Sequence, residues 1–431
     1  MTDNQWPSSL WAAVTPAWPA SAPLEDDIEA DAVVIGAGFT GLSTALHLAQ
    51  SRLRVVVIEA VEPGWGASGR NNGQVIPTLT RPNPDDIIRR HGEAGERFVA
   101  MLRDSADNLF RLIREENIAA EAEQTGWVQP VHTPGRMKIA DTRVEQWSRH
   151  GAPVELLSSQ QIHDITGSDI WHGGFWNKTG GHINPLALAR GLADRVVVNG
   201  GQIYCHTVAQ RIEHKDNAWQ VSTQGGRVTA PCLMLATHAY TGEHSQTLAA
   251  RIAHEVVPAV SWQLATRPLS DTQRQQVIPG RQAISDTHGD LHFMRYDARN
   301  RLVTGGALVI RANGAARLKR RIGKRLARVF KSAGEFEIEY VWNGFLGMTT
   351  DYMPRIHQLG PNGYAWVGCN GRGVALSAAL GQQFAKAMTG TPLNELALPL
   401  TVPVPLPAHG LIRRIAPLRL LQYRWADRRE V

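Results

Sequence analysis

Three glycines at positions 36, 38 and 41 and an acid at 59 are the residues whose types and spacing carry the most specific chemistry in this chain. Gly36 permits a tight turn, Gly38 lets backbone approach a pyrophosphate, and Gly41 lets a helix close on a strand. Phe39 and Thr40 stand between them in the first turn of that helix, whose positive end suits phosphate charge. Glu59, followed by Ala60, is placed to accept the ribose hydroxyls of an adenosine. Together these residues predict a dinucleotide site; a glycine-rich helix start that holds no nucleotide is the weaker reading.

The elements that must position these groups are legible too. Residues 32–35 are apolar and partly β-branched, as a strand buried on both faces requires. Leu42, Ala45, Leu46 and Ala49 recur at helical spacing after the glycines, and a second strand at 54–58 delivers Glu59. Segment 64–74, GWGASGRNNGQ, then joins small residues, among them Ala67 and Gly73, to donors at Ser68, Arg70, Asn71, Asn72 and Gln74. A simple nucleotide domain has no need of it, so it points to a flat or anionic ligand rather than to a polar loop without one. Far along the chain, residues 364–367 predict a strand and 368–373 (GCNGRG) a glycine turn. Leu376, Leu380, Phe384 and Met388 then mark the apolar face of a helix whose positive end suits a partial negative charge.

With 431 residues and 43% hydrophobic content, the chain can bury a large core, and its length predicts two or three domains. Cys205, Cys232 and Cys369 form no CxxC pair, and no His cluster has ligand spacing, so a reducing compartment and no metal are expected. The first 27 residues lack a basic run before an apolar one, and their prolines and tryptophans predict an extended strap on the body of the protein. No apolar stretch reaches the roughly 18 residues of a membrane span, so the chain is expected to be soluble and cytoplasmic. Lys and Arg exceed Asp and Glu by 45 to 39. Much of that excess lies in 311–331, where Leu318, Ile322, Leu326 and Val329 make a helical apolar stripe. A solvated helix face is favoured there over a nucleic-acid patch. Residues 409–431 mix Arg with Leu, Ile, Tyr and Trp; a packed tail is favoured, with a membrane-interface anchor as the alternative.

Taken in order, VVIGAGFTGLS, IEA, GWGASGRNNGQ, GGHINPLALARGL (180–192), LATHAY (235–240), VWNGFLGMTTDYMPRI (341–356) and VGCNGRGVALS carry a family resemblance. The set resembles the D-amino-acid-oxidase-like FAD-dependent oxidoreductases over residues 28–395, and within them the gamma-glutamylputrescine oxidoreductase branch. The resemblance implies an α/β plus α+β architecture, a Rossmann-like FAD/NAD(P)-binding domain interleaved with an antiparallel-sheet substrate domain. The FAD domain would take 28–105, 180–255 and 332–395, the substrate domain 106–179 and 256–331, with a strap at 1–27 and a tail at 396–431. Pattern agrees in part: 202–236 reads as a meander with turns at 215–217 and 225–226, and 291–296 and 301–304 alternate as strands.

Carried over by position, Gly36, Gly38, Phe39, Thr40 and Gly41 would hold the pyrophosphate and Glu59 the ribose, with Ala60 a further cofactor contact. Ala67, Ser68, Arg70, Asn71, Asn72, Gly73 and Gln74 would hold the pyrophosphate and the isoalloxazine surroundings. Val208 would meet the adenine through its backbone, and Ala236 is a further cofactor contact. Gly371, Arg372, Gly373 and Val374 would face the isoalloxazine carbonyl edge and the ribityl chain. FAD is expected to be non-covalent, because GFLGMTTDY lacks Cys and 64–74 lacks His; Cys369 is read as a small buried residue.

The reaction implied is oxidation of an amine or amino-acid C–N bond by hydride transfer to flavin N5, giving an imine that hydrolyses, with oxygen or a quinone as final acceptor. Such chemistry needs positioning more than a strong base, so the want of a catalytic dyad does not oppose it. One departure stands out. Leu346 occupies the position where α-amino-acid oxidases of this family carry a carboxylate-clamping Arg, and Leu cannot make a bidentate clamp. An amine, or a substrate whose carboxylate lies further from the reacting carbon, is therefore favoured. Arg295 is a candidate replacement charge, with a surface or structural role as the alternative, and His182 and Phe345 are candidate pocket residues, each with a core role as the alternative. Two other functions compete: an amino-acid dehydrogenase that feeds a membrane quinone through its tail, and a tRNA-modifying flavin domain or non-catalytic subunit. The second lacks an RNA-binding signature.

Overall fold

Alternation along the first nucleotide strand sets the layering of the molecule. In the computed structural model, which describes residues 5–245, 248–290 and 292–430, strand Ala32–Ile35 is buried throughout. Ala32 and Val34 join the core shared with the helices, while Val33 and Ile35 point to a second core on the opposite face. This strand is central in a six-stranded sheet ordered Arg355–Gly360, Gly363–Val367, Cys232–Leu235, Ala32–Ile35, Val55–Ile58, Gln202–Tyr204. All neighbours are parallel except Arg355–Gly360, which is antiparallel to Gly363–Val367.

One face of that sheet carries helices Phe39–Gln50, Gly373–Met388, Pro185–Val198 and Pro84–Glu115. The first two of these approach so closely that a Cβ on Gly381 would stand 2.6 Å from the Ser43 Cβ, and the Ser43 hydroxyl donates to Ala378 O at 2.8 Å. The other face carries a four-stranded sheet in the order Ile28–Glu29, Arg227–Ala230, Ala218–Ser222, Arg211–Lys215. Its three longer strands, within 211–230, are the middle of the meander expected over 202–236; the two ends of that stretch, Gln202–Tyr204 and Cys232–Leu235, are instead parallel strands of the six-stranded sheet.

A separate eight-stranded sheet runs Ile338–Met348, Val257–Pro268, Arg301–Gly306, Phe293–Tyr296, Ala283–Ser285, Trp127–Pro130, Gly174–Asn177, Val154–Leu157. It is antiparallel except where Ala283–Ser285 meets Trp127–Pro130. The strand expected at 291–296 covers Phe293–Tyr296, and Leu291 lies outside the described residues. Ile338–Met348, grouped by sequence with the nucleotide segments, pairs instead along Val257–Pro268 in this sheet. The reason is packing: helix Gly314–Val329 buries Leu318, Ile322, Leu326 and Val329 on the same sheet, so the chain leaving that helix is already at its edge.

The two large sheets are tied through segment 64–74. Gln74 donates to Ile284 O (2.8 Å) and Met294 O (3.1 Å) and accepts from the Ser285 hydroxyl (2.6 Å). Trp342 Nε1 donates to Arg70 O at 2.8 Å. The N-terminal strap reinforces this seam, because its short helix Leu10–Val14 buries Leu10 and Trp11 fully, with Trp11 Nε1 donating to Asn71 O. Among the described residues, no helix is long and apolar enough to cross a membrane.

Candidate active site

A cavity of about 1640 Å³ is lined by residues of both large sheets. That exceeds the ~300–1,000 Å³ of an ordinary small-molecule pocket, leaving room for a dinucleotide and a substrate together. Its floor at one end is the glycine turn. Gly36 has φ +103°, and a Cβ there would lie 3.1 Å from Ala236 O. A Cβ on Gly38 would stand 2.9 Å from Ser68 Oγ, and one on Gly41 only 2.0 Å from Gly36 O. Gly36 thus serves the turn and Gly41 the close packing on it, while Gly38 leaves room for the Ser68 hydroxyl at the helix N-terminus. The Phe39 N–H donates to Ser68 Oγ at 2.9 Å, which fixes loop 64–74 over the helix N-terminus. Trp366 Nε1 donates to the Thr40 hydroxyl at 2.8 Å.

Glu59 follows strand Val55–Ile58 and accepts from the N–H groups of Ala37 (2.7 Å) and Val61 (3.0 Å). Burial pushes its carboxyl above the ordinary range, with those amides opposing the shift. Ala60, Ala67, Asn71, Asn72, Gly73, Val208, Ala236, Gly371, Gly373 and Val374 line the same cavity. Asn71 is committed to its own loop, donating to Ala67 O and Ser68 O and accepting from Gly73 N–H. Arg70 donates to Trp65 O, lies 4.3 Å over the Trp65 ring and keeps Nη2 unpartnered. Asn72 Oδ1 is likewise unpartnered. Cys369 lies in the glycine turn, its thiol pushed up by burial.

An aromatic wall follows, in which Trp65 and Tyr240 meet edge to face at 5.9 Å and Tyr240 and Phe345 at 5.4 Å. The Tyr240 hydroxyl accepts the Phe345 N–H at 3.1 Å, and burial raises its pKa. Phe345 and Leu346 both line the cavity. His238 is pushed down to about 4 by burial, and its Nε2 accepts the Cys369 N–H at 3.0 Å, so the ring is neutral and holds the glycine turn.

Two sequence candidates lie outside the cavity wall. Arg295 is 1% exposed and donates to Asn72 O, Tyr296 O and Ile183 O, with its guanidinium over Trp11. These carbonyls use its donors, so it braces the seam between the sheets. His182 pairs with Gln74 in a two-stranded ladder, and its Nε2 meets Arg281 O at 3.0 Å. Its ring is neutral, held well below its ordinary value mainly by burial.

Two arginines stand together in the cavity wall: Arg372, which the sequence places in the glycine turn, and Arg143, which no local sequence signal announces. Arg372 is 5% exposed; its Nη1 donates to Thr78 Oγ1 and Leu79 O, and its ring-facing side lies over Trp127. Beside it, Arg143 from helix Met137–Arg149 is 3% exposed, donates to Thr80 O, and keeps Nε and Nη1 unpartnered. Burial brings Arg143 down to about 10, and burial with the Arg143 charge holds Arg372 well below its usual value. Neither has a carboxylate partner among the described residues. The fold also gathers Asp286, His288 and His292, with ligand atoms all within 4.8 Å, which sequence spacing did not suggest. The Asp286 carboxylate already accepts from Trp171, the His288 ring and the His288 backbone N–H, so the cluster is held by its own hydrogen bonds.

The glycine cradle, the part-buried acid that ends the second strand, and the unpartnered Arg70 Nη2 and Asn72 Oδ1 beyond the turn fit FAD. Residues 31–387 match the family described as FAD dependent oxidoreductase (DAO). The chain is 31% identical to gamma-glutamylputrescine oxidoreductase of Escherichia coli over 385 residues, 89% of each chain. Its fold is similar to glycine oxidase from Geobacillus kaustophilus (TM-score 0.70, 18% identity, 84% of this chain and 95% of that one). It is also similar to L-amino acid deaminase from Proteus vulgaris (TM-score 0.71, 16% identity, 91% and 97%). The chain therefore belongs to the DAO family of FAD-dependent oxidoreductases.

Proposed function

We propose that this enzyme oxidises the C–N bond of an amine that also carries a carboxylate some distance from the reacting carbon, as a gamma-glutamylated amine does. The observation that carries this reading is the pair Arg372 and Arg143, two buried guanidiniums on the cavity wall with no carboxylate partner among the described residues. An unpaired buried cation is costly, and an anionic group on the substrate offsets that cost. Leu346, apolar and in the cavity wall, supports the same reading, because an α-carboxylate beside it finds no clamp. The Escherichia coli relative, named for gamma-glutamylputrescine, agrees with an amine of this kind.

FAD, when bound, supplies the hydride acceptor for converting the amine to an imine, which water hydrolyses. The chain's own residues do the rest. Trp65, Tyr240 and Phe345 shape an apolar slot that holds the neutral amine and keeps water from it. The Tyr240 hydroxyl fixes the Phe345 backbone, and neutral His238 fixes the glycine turn, so that the reacting carbon is positioned rather than attacked by a base. FAD is held without a covalent bond, and acid precipitation is expected to leave it in the supernatant.

The test is anaerobic absorbance near 450 nm, titrated with matched amines that differ only in whether a distal carboxylate is present. Bleaching by the carboxylated member at far lower concentration supports the reading, and equal bleaching by both removes it. Admitting air then separates an oxidase, which recovers quickly, from a dehydrogenase that needs a quinone-type acceptor.

A further inference from the structure

The last described residues, 408–430, form helix His409–Ile415, a 3₁₀ turn Ala416–Leu418 and helix Arg419–Arg429 in nearly continuous succession. Ile412, Leu420 and Tyr423 line the cavity mouth, and the Tyr423 hydroxyl meets the Tyr352 hydroxyl at 2.6 Å. The solvent side, which runs from the cavity rim at Ile415 and Leu418 outward, is unusual for a helix on a protein surface. Leu411, Ile415, Leu418, Leu421 and Trp425 recur at helical spacing and are each between 49% and 59% exposed. A tail that merely packs on its own protein would turn this stripe inward.

Charge is segregated in the same sense. The segment has six arginines and two acids. Both acids face the body: Asp427 accepts the Gly289 N–H, and Glu430 holds Arg136. Arg424 also turns inward, to Asp290 and Ala307 O, and Arg413 pairs with Glu243. Arg414, Arg428 and Arg429 remain exposed beside the apolar stripe, while Arg419, also exposed, lies over Tyr423 at the cavity mouth. The outer face is therefore apolar and cationic without an acid.

We propose that residues 408–430 dock the enzyme on an anionic lipid surface, setting the mouth of the cavity against the bilayer. An apolar stripe inserted to the acyl boundary with arginines at the headgroups matches this face in both polarity and charge. A second copy of the chain matches it poorly, because a two-fold contact would oppose the same arginines. Nucleic acid would leave aliphatic Leu411, Leu418 and Leu421 against phosphate. Ile415 and Leu418 border both the mouth and solvent, so docking and access to the cavity are linked by the same helices.

The test uses FAD-loaded full chain, sedimented with vesicles of phosphatidylcholine alone or of phosphatidylcholine with phosphatidylglycerol, and reads no turnover, so it stands apart from the substrate reading. Sedimentation with the anionic vesicles only, weakening as salt is raised, is expected. Replacing Leu411, Leu421 and Trp425 together by Ser is expected to lower vesicle partition more than about tenfold. Arg414→Glu with Arg428→Glu is expected to lower it by at least roughly fivefold for each cation. None of these five side chains lines the cavity, so retained flavin absorbance shows that the variants fold. A wild-type protein that stays in solution with anionic vesicles overturns the proposal. So does a serine variant that sediments like wild type, or tail-dependent self-association without vesicle binding.

Discussion

Gly38 and His238 show how much of this site rests on single atoms. At Gly38 even a Cβ reaches 2.9 Å from Ser68 Oγ, and a carboxylate there would also oppose a pyrophosphate. Gly38→Asp is expected to yield folded but colourless protein, read as the ratio of absorbance at 450 to 280 nm; a fully yellow variant would remove this turn from the cofactor site. His238 sets a pH dependence. Its folded value of about 4 lies below its ordinary 6.5, so the unfolded chain takes up a proton that the folded chain refuses. The stabilising contribution is complete above pH 6.5 and is lost as pH falls towards 4, by roughly 2–3 kcal/mol at pH 4.5. Urea unfolding of the apoprotein at pH 7.5 and 4.5 checks this: His238→Gln is expected to lose correspondingly less than wild type, and equal losses would sink the assignment.

At the scale of elements, the helix Gly314–Val329 offers the sharpest test, because its basic residues were read as a solvated face in preference to a nucleic-acid patch. Leu326 is fully buried against Leu302 and Met294, whereas Arg320 and Arg328 are exposed. Leu326→Ala is expected to cost ~3 kcal/mol, and Arg320→Ala or Arg328→Ala within about 0.5 kcal/mol of nothing. Urea midpoints decide it, and a large loss at either arginine would overturn the solvated-face reading. This helix was legible because its signal is local: four apolar residues at 3.6-residue spacing. The strand Ala32–Ile35, the glycine turn and the meander were legible for the same reason. The pairing of Ile338–Met348 with Val257–Pro268 was not, since register between strands some 80 residues apart leaves no local pattern. Arg143 was missed likewise: nothing near Met137–Arg149 in sequence announces that Leu79 and Thr80 will receive it. Arg295 was left open between a substrate charge and a surface or structural role because its acceptors, Asn72 O and Ile183 O, are brought to it only by tertiary structure.

Across the whole molecule, the cofactor and the seam between the sheets share one segment. Residues 64–74 line the cavity, yet Gln74 is bonded into the eight-stranded sheet and Arg70 O receives Trp342 from its edge strand. FAD bound in this cavity is therefore expected to stabilise both sheets through this segment. Linkage gives the size: at a free FAD concentration 100 times Kd the folded state gains about 2.7 kcal/mol. Calorimetry of the apoprotein with increasing FAD is expected to show one transition moving upward as a unit. Gln74→Leu removes the hydrogen bonds to Ile284 and Met294 and leaves the Ser285 hydroxyl without its acceptor, while the glycine turn stays intact. That variant is expected to bind FAD yet resolve two transitions, of which only the one belonging to the nucleotide sheet rises with FAD. If wild type itself shows only part of its unfolding responding to FAD, the two sheets are not coupled through this loop.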